Sequence, residues 1–443
     1  MKTPEWPRYR GVIEGFYGPM WSHEERLHLI RHLRGWNMNL YIYGPRDDPY
    51  HRLRWEAPYP AEEWRRFTEL ANEARRQQVE FSYAISPGTS FDPDRPEHRR
   101  ALMDKLQPFV DLGCTFFPLL YDDANGVSDF DTEAGERLAE RQARAMNGMA
   151  EALAARCAAA RFLFCPTQYM TADKSRYLCR LHALLDPRIE TVVTGVDSGT
   201  DGICPRTFSD EGARRYFENF GRRPFLWDNF NVRDNSLNTL HWSPYQGRGA
   251  HLPELCSGIV LNPQNHYLLN LPVFGCAGDY FATPRGYDPR ASMRRHLAEL
   301  MGEEVAELGV ELSRWFTAEW FARPGDGFLS SEANLPAFGD GPPAGSARKA
   351  LLAGVRERLA PLTDFKGRFN RALIPPQVAG ALVPYASLLT DYAQAMVEFC
   401  DSVEGARADG AAARLLERVD RPETECFRLP FSLIEYARWL ARM

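Results

Sequence analysis

Two adjacent carboxylates, Asp122 and Asp123, directly follow the apolar run TFFPLLY, Thr115 to Tyr121. An apolar strand in front of them desolvates the loop they occupy. Two carboxylates that close cannot both ionise freely, so one is expected to hold a proton beside a fixed anion. Glycoside hydrolysis uses that division, with an acid for the leaving oxygen and an anion to manage charge at the anomeric carbon. Neighbouring residues are poorly placed as acid and nucleophile on opposite faces of a sugar ring. They fit better where the substrate supplies its own nucleophile, as a 2-acetamido group can. Taken alone, the pair fits a helix N-cap or a hard-metal site equally well.

Other polar groups invite weaker readings. Asp47 and Asp48 follow Arg46, and an internal ion pair or loop cap accounts for them before catalysis does. Asp228, Asn229, Asn231 and Asp234 could ligate calcium, but they lack the D-x-[DN]-x-[DN]-G register, so hydrogen bonding to a ligand or to their own loop is preferred. Tyr169 and Trp227 lie among polar neighbours and read as sugar-stacking or hydrogen-bonding aromatics ahead of core ones. His28 and His32 stand i, i+4 on a helix, where metal ligands could lie, yet without a carboxylate partner they read as a surface pair.

These residues need a scaffold that brings them together. Short β-rich runs alternate with amphipathic stretches from residue 10 to 285: Gly11–Gly15, Asn39–Tyr43, Val79–Ile85, Thr115–Tyr121, Arg161–Cys165, Glu190–Thr194, Pro224–Trp227 and Gly258–Leu261. The first helix, from Ser22 to Trp36, opens with a capping box, Ser22 and Glu25. Eight strand–helix units over roughly 275 residues have the size and period of a (β/α)8 TIM barrel. A doubly wound sheet would carry a glycine-rich phosphate turn after its first strand, and there is no G-x-G-x-x-G and no Walker A. In such a barrel the working residues lie at the C-terminal ends of the strands, which here gather acidic, amide and aromatic side chains and almost no histidine. A neutral, hydroxyl-rich ligand suits that mouth. We expect an α/β barrel over residues 1–288 and an all-α helical domain over 289–443. Within the latter, Ala291 to Phe321 reads as continuous helix, and a Gly/Pro-rich loop lies near 322–345.

Composition narrows the alternatives. With 44% hydrophobic and 25% charged residues, the 443-residue chain is ordinary globular protein. Its net charge of -6 and pI near 6.0 argue against a nucleic-acid partner. No apolar run approaches membrane-spanning length. Met1 to Arg10 hold no apolar h-region, so a cytoplasmic chain is expected, although a secreted form trimmed of its signal would read the same. Nine scattered cysteines without a C-x-x-C form neither a disulfide framework nor a zinc site.

Several motifs, in order along the barrel, carry a family resemblance. GVIEGFYG (Gly11–Gly18), YGPRDDPYHR (Tyr43–Arg52), YAISPG (Tyr83–Gly88), LLYDD (Leu119–Asp123), FCPTQY (Phe164–Tyr169), WDNFNVRD (Trp227–Asp234) and LNPQN (Leu261–Asn265) resemble the catalytic domain of glycoside hydrolase family 84. That family contains the O-GlcNAcases and related bacterial β-N-acetylglucosaminidases. The resemblance implies retaining, exo-acting hydrolysis of terminal β-linked N-acetylglucosamine through an oxazoline, with no metal and no organic cofactor. It implies a glycoconjugate or O-GlcNAc-modified protein as partner, with no nucleic acid and no membrane. Asp122 would orient and polarise the acetamido group, and Asp123 would be the general acid and then the base. Gly15, Tyr169, Asn229 and Asn262 would line the sugar and acetamide pocket, Trp227 its wall. Asp234 would hold the distal sugar hydroxyls, and Arg46 would bond a sugar hydroxyl.

Three positions depart from the family pattern. Arg46 stands where a lysine is common, Gln168 where a glutamate is, and Val193 where a tryptophan precedes Thr194-Gly195. Arginine is a planar fork and not a neutral replacement for lysine. A non-catalytic sugar-binding module on the same barrel would need no acid after the fourth strand. A metal-dependent barrel hydrolase would need histidines that the strand ends lack.

Overall fold

The alternating runs become eight parallel strands: β1 Tyr9–Glu14, β2 Leu40–Tyr43, β3 Glu80–Tyr83, β4 Phe116–Leu120, β5 Arg161–Cys165, β6 Ile189–Val193, β7 Phe225–Asp228 and β8 Gly258–Leu261. The computed structural model describes residues 7–123, 129–197, 202–205, 207–234, 240–316, 343–404, 410–419 and 431–442. The strand order β3-β2-β1-β8-β7-β6-β5-β4 runs once around a barrel. Its seam lies between β3 and β4, where pairing is reduced to a single bridge, Ile85 to Leu119. There Ile85 N–H donates to the Pro118 carbonyl at 3.0 Å, and Leu120 N–H donates to Ile85 at 2.9 Å. A residue's N–H and C=O lie on the same side of its strand, so the donor that Pro118 lacks would have faced this loose seam. That is why β4 tolerates a proline.

The barrel interior is filled by every second residue of the strands. Ile13, Leu40, Ile42, Phe116, Leu120, Leu163, Cys165, Val192, Phe225, Trp227 and Val260 form one buried cluster. This is the layered packing of a side-chain-filled barrel. The intervening residues face the helices; Val193, Leu226 and Ile259 pack with Ala213 and Tyr216.

The surrounding helices start where local chemistry says they should. In α1, His23–Leu33, the Ser22 hydroxyl accepts from Glu25 N–H at 3.2 Å while Glu25 accepts from Ser22 N–H at 2.7 Å. Helices α2 Ala61–Arg76, α3 Pro96–Asp111, α4 Glu133–Ala154, α5 Arg176–Leu184, α6 Asp210–Phe220 and the single turn α7 Leu252–Leu255 alternate with the strands, and α8 Tyr267–Ala282 follows β8. On α1 the His28 and His32 rings stack 4.1 Å apart; His28 Nδ1 bonds the Tyr267 hydroxyl and His32 Nδ1 bonds the His28 carbonyl. All eight described cysteines are free thiols, six of them buried.

A second compact unit comprises Asp288–Met443 together with Arg233–Tyr245 and Leu268–Cys276; the rest of the chain forms the first. It contains α9 Pro289–Met301, α10 Ala306–Trp315, α11 Gly345–Leu359, α12 Phe365–Arg371, α13 Pro376–Glu404, α14 Ala411–Val419 and α15 Phe431–Leu440. The expected continuous helix from Ala291 is interrupted: Gly302 adopts φ +98°, and a short 3₁₀ turn, Glu303–Val305, separates α9 from α10. Apolar spacing by three and four persists across that break, which is why periodicity alone did not reveal it. Helices α11 and α14 both pack on α13, whose Leu382, Tyr385, Leu389, Tyr392, Met396 and Phe399 form the buried stripe. Residues 317–342, which hold most of the Gly/Pro-rich stretch, lie outside the described residues. Among the described residues no helix is long and apolar enough to cross a membrane.

Two histidines buried in the barrel unit make its stability acid-sensitive. Burial lowers the pKa of His51 to about 3, and burial, with Arg222 nearby, does the same to His182. Both remain neutral in the fold but gain a proton on unfolding once the pH drops below their ordinary value of 6.5. Stability is therefore present at neutral pH and lost as pH falls from 6.5 toward 3, by up to about 1.4 kcal/mol per pH unit for each histidine. Thermal melting from pH 7 to 4 should show this decline, and His182→Gln should flatten it. An unchanged slope in that variant would contradict the assignment.

Candidate active site

The strand ends converge through side-chain bonds between residues far apart in sequence. Gly15, just past β1, donates its N–H to Asn262 Oδ1 beyond β8 at 3.1 Å. Asn262 Nδ2 donates to Asn229 Oδ1 beyond β7 at 2.9 Å, and that oxygen also receives the Trp227 indole N–H at 3.0 Å. Asn229 Nδ2 donates in turn to the Ile203 carbonyl at 2.8 Å. A Cβ at Gly15 would lie 2.5 Å from Trp227 Cζ2, so only glycine lets the indole lie against this turn. Trp227 is both a core residue and a wall of this cluster.

The two aspartates occupy opposite environments. Asp122 is buried, and one of its oxygens, Oδ2, pairs with the Arg46 guanidinium from the loop after β2. Arg46 Nε donates to the Gly15 carbonyl at 3.1 Å, so one side chain ties the ends of β1, β2 and β4 together. Burial pulls the guanidinium pKa below its ordinary value. Asp122 Oδ1 and Arg46 Nη1 are buried and have no hydrogen-bond partner among the described residues. An unmatched buried polar atom costs about 1–3 kcal/mol, so two side by side in one ion pair suit a bound polar ligand.

Asp123 is exposed and sits in the left-handed region at φ +55°. That conformation costs of order 1 kcal/mol for a residue with a side chain, and aspartate is among those that tolerate it. Its carboxyl is gripped from two sides, by the Tyr17 hydroxyl at 2.6 Å on Oδ2 and the Tyr169 hydroxyl at 3.2 Å on Oδ1. The pKa of both phenols is raised, by burial first and then by Asp123. The left-handed turn separates the neighbouring carboxyls into a buried one paired with Arg46 and an exposed one held by two phenols.

Six of the nine candidate residues (Gly15, Arg46, Asp122, Trp227, Asn229 and Asn262) thus form one hydrogen-bonded set in two branches, joined at Gly15; Asp123 adjoins it through the chain and bonds Tyr169. Asp234 is half-buried and belongs to the segment Arg233–Tyr245 that groups with the second unit. Asp228 is not at the rim: it is wholly buried and forms a two-pronged ion pair with Arg248. Arg46 does not pair with Asp47 or Asp48. Asp48 caps its own loop, accepting from the Tyr43 and Tyr59 hydroxyls and from Tyr50 N–H. Gln168 points to the start of α5, accepting from Ser175, and Val193 packs among the residues facing the helices; neither departure touches the carboxylates.

Sequence reasoning missed Tyr17, Arg52, Glu14 and Arg248. The position of Tyr17 just past β1 was a usable signal. The role of Glu14 was not, because it lies within the strand: its buried carboxylate accepts from Arg26 and from the Tyr41 hydroxyl. Among the described residues no group of three or more histidine, cysteine or acidic side chains could hold a metal ion.

A parallel eight-stranded barrel with paired carboxylates and an amide-rich mouth defines a TIM-barrel glycoside hydrolase. A family model described as beta-N-acetylglucosaminidase matches residues 10–313. The chain belongs to that family, glycoside hydrolase family 84. Over 267 residues it is 33% identical to the protein named Protein O-GlcNAcase in Rattus norvegicus and to that in Mus musculus, a match covering 59% of this chain and 28% of each relative. The match thus spans under a third of those relatives. The fold is also that of an O-GlcNAc hydrolase mutant from Thermobaculum terrenum, with a TM-score of 0.78 and 23% identity over 98% of this chain and 94% of the other.

Removing one partner of a buried ion pair strands the other charge. Arg46→Met should therefore lower the stability of the barrel by about 3–5 kcal/mol in denaturant unfolding. Arg46→Lys, which keeps the charge but not the fork, should lose less. A loss under about 1 kcal/mol for Arg46→Met would mean that Asp122 does not depend on it for its charge.

Proposed function

We propose that this protein is a retaining exo-β-N-acetylglucosaminidase of the O-GlcNAcase type, acting by substrate-assisted catalysis. The observation that carries the reading is the asymmetry of the adjacent aspartates. Asp122, held against Arg46 with Oδ1 free, takes the acetamide N–H and so turns the carbonyl oxygen onto the anomeric carbon. As that bond forms and the glycosidic bond breaks, Asp123 gives its proton to the departing oxygen. The resulting oxazoline, whose N–H proton is shared with or passed to Asp122 Oδ1 and returns on ring opening, is opened by water, whose proton goes to Asp123, and retention follows from two inversions at one carbon.

In this reading the Gly15–Asn262–Asn229 chain lines the sugar and acetamide pocket and Trp227 walls it. Tyr169 bonds the acetamide side, and Arg46 Nη1 donates to a sugar hydroxyl. The barrel, residues 1–288, does the chemistry, and residues 289–443 form a separate helical domain. Neither metal nor organic cofactor takes part. The substrate is a terminal β-linked N-acetylglucosamine on a glycoconjugate or an O-GlcNAc-modified protein, a choice supported by the names of the mammalian relatives. The site of action is the cytoplasm.

The purified protein should hydrolyse an aryl β-N-acetylglucosaminide in the presence of EDTA, and Asp123→Asn should lose most of that activity, roughly a hundredfold or more. The matching glucoside, lacking the acetamido group, should be essentially inert. Comparable turnover of the plain glucoside would point to a protein nucleophile, and binding without turnover would point to a sugar-binding module.

A further inference from the structure

We propose that Tyr17 is the positioning residue of Asp123: it anchors Oδ2, leaving Oδ1 as the oxygen that passes the proton to the departing group. This rests on the reading of Asp123 as general acid. The two phenols on Asp123 are not equivalent. The Tyr17 bond, at 2.6 Å, is at the short end for a hydroxyl on a carboxyl oxygen, whereas the Tyr169 bond, at 3.2 Å, lies beyond the ordinary range for two oxygens. The weaker bond is the one that yields when a substrate oxygen arrives.

Tyr17 is itself held from behind. Arg52 Nη1 donates to the phenol oxygen at 3.1 Å, and the Arg52 and Arg46 guanidiniums lie over the ring, 5.4 and 5.8 Å from its centroid. A cation that donates to a phenol makes the phenol a stronger donor, so Arg52, Tyr17 and Asp123 form a polarised series. The pKa of Tyr17 stays raised, so the hydroxyl keeps its proton and remains the donor to Oδ2.

The arrangement acts on the first step of the reaction. The proton on Oδ1 moves to the glycosidic oxygen as the bond to the anomeric carbon breaks, and the leaving group departs as an alcohol. Negative charge then develops over both carboxylate oxygens, and the Tyr17 bond to Oδ2 strengthens as it does. An interaction that grows toward the transition state lowers the barrier, by more the further the proton has moved. In the second step Oδ1 receives the proton of water while Oδ2 stays anchored.

Tyr17→Phe tests this, because it keeps the ring beneath both arginines and removes one hydroxyl. On an alkyl β-N-acetylglucosaminide, whose leaving group must be protonated, kcat/KM should fall about tenfold or more. On the dinitrophenyl glycoside, whose leaving group departs without a proton, the fall should be about twofold. Arg52→Gln should show the same pattern with smaller losses, and it carries the test if Tyr17→Phe does not fold. Equal losses on the two substrates, or none on either, would overturn the proposal and leave Tyr17 a structural residue. Wild-type protein inert on both would instead remove the functional reading and this proposal with it.

Discussion

The buried ion pair between Arg46 and Asp122 is the contact on which the site depends. It joins loops 76 positions apart in sequence, and its arginine also holds the carbonyl of Gly15. The ends of β1, β2 and β4 are thereby fixed by one side chain. Taking both charges out of water is expensive, and such a pair is weak evidence for stability by itself. Its use lies elsewhere: it pairs one oxygen of a buried carboxyl and leaves the other uncommitted.

Two neighbouring residues can do different work only if the chain turns between them. Asp122 ends in the interior because it lies two residues past a strand whose residues are buried, and Asp123 is turned out by its left-handed backbone. The strain at that turn is small, and the phenols of Tyr17 and Tyr169 keep its exposed product in place. On the other side of the mouth, Gly15, Asn229 and Asn262 form a hydrogen-bonded chain, and the Trp227 indole leaves no room for a side chain at residue 15. The barrel supplies the common frame: all of these groups stand just beyond the C-terminal ends of parallel strands.

Much of this was legible before the fold was known, and the reasons are local. Strand and helix periods differ, so eight repeats could be counted, and the ends of β5 and β8 fall where the apolar runs stop. The capping box at Ser22 and Glu25 needs only four residues to be recognised. The barrel rule then placed Asp122 and Asp123 at the mouth. The departures share a different cause. That Arg46 pairs with Asp122 rather than its neighbours, or that Asp228 is neutralised by Arg248, depends on closure of the barrel, which no short window of sequence records. Gly302 breaks a helix whose apolar spacing carries on regardless. Tyr17 was visible as a strand-end aromatic, but its grip on Asp123 is a matter of distance.

In the proposed reaction Asp122 stays paired with Arg46 through Oδ2 and keeps Oδ1 for the acetamide. A crystal structure with an N-acetylglucosamine oxazoline mimic tests it most directly. The ring nitrogen should lie about 3 Å from Asp122 Oδ1, with Oδ2 still on Arg46 and Asp123 on the leaving-group side of the anomeric carbon. A mimic seated away from Asp122, or one that displaces Arg46 from it, would contradict the account.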